Sequence, residues 1–96
     1  MKKSFKPSRK TISALLVKLD SAHNALSAHK NFNLAEVLMS EYFSEIPQEL
    51  VDQSITKSLY HALQRRNAEL LLASIDAEIE RLETEKIKLM REKIIA

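Results

Sequence analysis

The sequence predicts an all-α protein: an N-terminal three-helix module that extends into a long C-terminal helix with coiled-coil character. Three observations predict it. The 96-residue chain contains no glycine, where average usage of roughly 7% would supply about seven. Glycine serves positive-φ turns and close backbone approach to phosphates, so tight hairpins and phosphate-cradling loops lose their usual residue. No proline follows Pro47, and the stretch from Gln48 to Ala96 therefore carries neither helix breaker. Throughout, apolar residues recur at three- and four-residue steps, the period of an amphipathic helix.

Residues 1–8 read as a flexible basic arm, with Pro7 ending local order before the first helix. From about residue 9 to 30, Ile12, Leu15, Leu16, Leu19, Ala22 and Leu26 form one apolar stripe. Asn33 is placed to cap the second helix, about 34–45, with Glu36 three residues on reaching back to the cap. Phe32 and Val37 are spaced as the accompanying hydrophobic staple. The second helix stops before Pro47, because the residue ahead of proline is pushed out of the α region.

Pro47 suits the first turn of a third helix over about 48–67. Residues 68–96 continue the periodicity and read as one helix with the third. The alternative is that Asn67 caps a separate fourth helix. On a continuous helix the apolar stripes of residues 51–63 and 72–90 lie roughly 150° apart at 100° per residue. A rigid helix cannot press both on one neighbour, so the second stripe is expected to face a different partner.

That second stripe, Leu72, Ile75, Ile79, Leu82, Lys86 and Leu89, fits a and d positions over nearly three heptads. Lysine on such a seam lowers stability but specifies register. The charge layout favours an antiparallel pairing. Residues 68–85 are net acidic and residues 86–96 net basic, so a parallel pair would bring the basic ends together. Folding of the same stripe back onto the first helix within one chain is the competing arrangement.

Composition narrows the chemistry. There is no cysteine, hence no disulfide, thiolate metal site or cysteine nucleophile. His23, His29 and His61 form no i,i+4 pair and no metal-binding motif. His23, within the first helix's stripe, reads as a buried histidine with a hydrogen-bond partner. No catalytic motif is present, and neither a cofactor nor a small-molecule ligand is expected. The apolar run after the basic arm is broken by Lys18 and Asp20, so neither a signal peptide nor a membrane span is expected, and a cytoplasmic location is.

The functional expectation is a non-enzymatic protein-protein interaction or assembly protein, such as an adaptor, chaperone or accessory subunit. It would associate through its C-terminal helix, with itself or with a partner helix. The alternative is a small dimeric nucleic-acid-binding regulator using Lys2, Lys3, Lys6, Arg9 and Lys10 on phosphates, contacts that salt would weaken.

Overall fold

The structure, a computed structural model, describes residues 8–95, with side chains as far as Arg91. The protein is all-helical. Among the described residues four α-helices run in the order α1 (Arg9–Ser27), α2 (Phe32–Glu45), α3 (Gln53–Arg65) and α4 (Ala68–Ile95), with a 3-10 turn at Gln48–Leu50. Most of the expected arm, residues 1–7, lies outside the described residues. Ser8 belongs to the first helix, as its cap: its Oγ accepts from the Thr11 amide at 3.2 Å.

Without glycine, two ordinary residues take the left-handed conformation that ends a helix, Lys30 and Arg66, each with φ 52°. Such a backbone costs roughly 1–2 kcal/mol for a residue bearing a Cβ. Lys30 ends the first turn-back and shifts the next cap: Asn31, not Asn33, caps α2, its Oδ1 accepting from the Leu34 amide at 3.1 Å. The Asn33 Oδ1 instead accepts from Arg66 Nη2 at 3.0 Å, across the fold.

The third helix also starts later than expected. Pro47 opens only the 3-10 turn, and Asp52 caps α3 by accepting from the Ile55 amide at 3.1 Å.

The expectation of one helix continuous from the third into the C-terminal segment is corrected. Arg66 stops α3: the Asn67 amide bonds back to the Ala62 carbonyl at 2.9 Å, and the Arg66 amide to Leu63 at 3.1 Å. This pair of bonds is the Schellman closure of a helix end. Asn67 then caps α4, accepting from the Leu70 amide at 3.0 Å. The reversal removes the reason for assigning the two apolar stripes to different neighbours. Once α4 folds back antiparallel to α3, both stripes face the same interior.

In space α2 packs on α1, α1 on α4, and α4 on α3. The ring is closed between α2 and α3 by Phe43 stacked on Tyr60, centroids 4.4 Å apart, and by Arg66 lying 4.5 Å over Phe32. One apolar cluster runs through all four helices, including Leu15 and Leu19, Met39 and Tyr42, Leu59, and Leu71, Ile75 and Leu82. A separate three-helix module is therefore not what the core describes.

Arg66 reaches Phe32, Asn33 and Glu36, so the α1–α2 and α3–α4 turns sit at the same end of the molecule, and the α2–α3 connection lies away from it. The start of α1 and the finish of α4 consequently share the opposite end. The molecule measures 44 × 28 × 18 Å, and α4 alone, at about 42 Å, spans its long dimension.

Candidate functional site

The six residues of the expected association seam do not form one free stripe. Ile75 and Leu82 are 0% exposed and belong to the monomer's own core. Leu72, Ile79, Lys86 and Leu89 are half-buried beside them. The physical reason is the sharp reversal at Arg66, which turns this side of α4 toward α1. Fully burying such a Leu or Ile stabilises by about 1.5–3 kcal/mol, and that burial is realised within a single chain. His23 has a polar partner, its Nε2 3.2 Å from Asp76 Oδ1 on α4, but it is half-buried at the edge of α1 rather than buried.

The centre of α4's inward face holds a charged group that apolar periodicity did not reveal. Glu78, 1% exposed, lies between Ile75 and Leu82. The Tyr42 hydroxyl donates to its Oε2. Arg81 completes a bidentate pair, Nε to Oε1 at 2.9 Å and Nη2 to Oε2 at 3.0 Å. Arg81 Nη2 also donates to the Leu50 carbonyl. Burial pushes the Tyr42 phenol well above the usual tyrosine range, and the neighbouring Glu78 carboxylate pushes it further. For Arg81, burial opposes the charge, but Glu78 outweighs it and holds the guanidinium above its ordinary value. The group ties α2, α4 and the 3-10 turn together. The sequence does carry a signal: a carboxylate at a core position, with arginine three residues on.

Opposite the turns, described cations from two sequence-distant basic blocks lie at a similar level. His23 and Asp76 fix the level of α1 against α4. From that contact Arg9 lies about 21 Å away along α1 and Arg91 about 22 Å along α4, in the same direction. Arg9 and Lys10 on the first turn of α1 are exposed, as are Lys88 and Arg91; Lys86 is half-buried. Lys88 stands 3.7 Å from Glu85. Lys2, Lys3 and Lys6 lie outside the described residues.

The side of α4 turned away from both neighbours carries Ala73, Ala77, Glu80, Thr84, Ile87 and Arg91, all exposed. Ile87 on this face is 54% exposed. A shallow open groove between α3 and α4, lined by Ile55, Leu70, Ala73, Ser74 and Ala77, adjoins the first half of this face. At the end with the turns, another open hollow is lined by His29, Lys30 and Arg66, but Arg66 is already paired with Glu36 at 3.4 Å.

Among the described residues no three His, Asp or Glu side chains group closely enough to hold a metal ion, and no helix is long and apolar enough to cross a membrane. Comparison with family models, with curated proteins and with solved structures found no match.

Proposed function

We propose that this chain is a non-enzymatic helical assembly protein that pairs with a second copy of itself, antiparallel, through the outer face of α4. This keeps the C-terminal helix as the associating element but moves the seam off the buried stripe. One observation carries the reading: the uncovered face is spaced by alternating steps of four and three residues from Ala73 to Arg91, and the exposed charges on and flanking it are acidic toward the start of α4 and basic toward its finish. Glu69, Asp76, Glu80 and Glu83 are exposed in the first half, Lys88 and Arg91 in the second.

Antiparallel packing layers an a position on a partner's d position. Ile87 then rests on the partner's Ala77, where a small side chain leaves room. Arg91 falls over the partner's Ala73, within reach of Glu69 and Asp76. A parallel pair would instead stack acid on acid and base on base. With one large apolar side chain per copy the association is reversible and weakened by salt, which screens exposed charges beyond about a Debye length.

Light scattering on a sizing column tests it. The wild type is expected well above 11.0 kDa at high concentration and low salt. Ala73→Arg fills the small site and opposes Arg91 with a second cation, and is expected to give a folded monomer. A wild type that stays monomeric under these conditions removes self-pairing from consideration.

A further inference from the structure

We propose that the end of the molecule where α1 begins and α4 finishes binds the phosphate backbone of nucleic acid. The two terminal blocks, residues 1–10 and 86–96, hold nine of the fifteen Lys and Arg residues but one of the thirteen Asp and Glu residues. In sequence they are far apart, and either alone reads as a solvated run. The antiparallel packing of α1 on α4 brings the described cations of both blocks to the same end of the molecule. Arg9 and Lys10 stand on one helix, Lys86, Lys88 and Arg91 on the other, and packed helix axes lie about 8–10 Å apart.

Everything between the blocks is net acidic, with Glu36, Glu41 and Glu45 displayed on α2. The Lys18 ammonium, between α1 and α2, is already held by Glu41 at 3.0 Å and Glu45 at 3.4 Å. An approaching polyanion is therefore drawn to one end and repelled from the α2 flank, the arrangement that orients a charged ligand before contact. Double-stranded nucleic acid carries one charge per roughly 1.7 Å of axis, so several phosphates fall within the width of two adjacent helices.

Lysine and arginine contacts to phosphate oxygens fix position but carry no sequence information, so binding without sequence readout is what these cations imply.

The test is fluorescence anisotropy of a labelled mixed-sequence DNA duplex, titrated with the full chain from low to physiological salt. Binding is expected at low salt, with log K falling linearly in log salt. Arg9→Gln with Lys10→Gln removes two cations from one block, and Lys88→Gln with Arg91→Gln two from the other. Each pair is expected to flatten the salt slope by about 1.8, and the four together by about 3.6. Lys57→Gln with Arg65→Gln, exposed cations on α3, should leave the slope unchanged. Circular dichroism on the same samples verifies that the variants remain helical.

No binding at low salt overturns the inference. So does a slope that responds to only one of the two terminal pairs, because the site requires both helices. Equal retention by vesicles of anionic lipid would also sink the nucleic-acid assignment. Molar mass measured alongside keeps this inference separate from self-association: a monomer that binds the duplex upholds the one while refuting the other.

Discussion

Tyr42 on α2 donates its hydroxyl hydrogen to Glu78 on α4, inside the core, while Arg81 grips the same carboxylate from the other side. No buried side-chain nitrogen or oxygen among the described residues, those of this group included, is left without a partner. Burying an ion pair rarely adds much net stability, but breaking one leaves an uncompensated charge.

Glu78→Ala therefore costs more than a cavity of its size. It strands the Arg81 guanidinium and the Tyr42 hydroxyl together, and a loss of about 3–5 kcal/mol is expected in urea unfolding. Tyr42→Phe, which leaves Glu78 paired with Arg81, is expected to cost about 1–2 kcal/mol. Equal losses from the two would contradict the central role given to the carboxylate.

Alkaline pH probes the same group. Burial and the Glu78 carboxylate raise the Tyr42 phenol above its unfolded value of about 10. Above that pH the unfolded chain releases a proton that the folded chain keeps, so stability falls as pH rises, by up to about 1.4 kcal/mol per pH unit. Below it this contribution is fully present. Urea titrations through about pH 9–11, spanning the ordinary phenol value, should show a steeper decline for wild type than for Tyr42→Phe.

The two left-handed residues make a third prediction. Lys30 is exposed, and its side chain reaches only the Ser27 carbonyl, at 3.2 Å. Lys30→Gly should relieve the Cβ clash and raise stability by about 0.5–1 kcal/mol, roughly 2–8 °C in Tm for a domain this small. Arg66→Gly gains the same relief but forfeits the contacts with Phe32, Asn33 and Glu36. It should be the less stable of the two, measured by thermal denaturation.

Caps separate the observed helix starts from the expected one. Asn31→Ala and Asn67→Ala each remove a side-chain acceptor from a helix start and should each lower stability by about 1 kcal/mol. Asn33→Ala leaves the start of α2 intact and should change stability only through its contact with Arg66.

Leu82 and Ile87 lie on opposite sides of α4. Leu82→Asp places a charge in the shared core and should abolish the cooperative thermal transition. Ile87→Asp, at an exposed site, should leave that transition within about 0.5 kcal/mol of wild type.

The helical character of this chain was legible from its residues alone. The absence of glycine, the breaker-free stretch after Pro47 and the periodic apolar residues from Ile12 to Leu26 are local properties, and local propensity answers to them. The stripe at Ile75 and Leu82 was legible as apolar and in need of cover. What would cover it was not, because that depended on one backbone conformation at Arg66. A non-glycine residue in the left-handed region gives no composition signal, and its cost is met only by packing, here by the closure onto Ala62 and Leu63 and the contacts of Arg66 with α2. The same reversal decided that Glu78 would find Tyr42, and that Arg9 and Lys10 would lie toward the same end of the fold as Lys88 and Arg91. Periodicity reports which side of a helix seeks an interior; the direction of the next helix decides which interior it is.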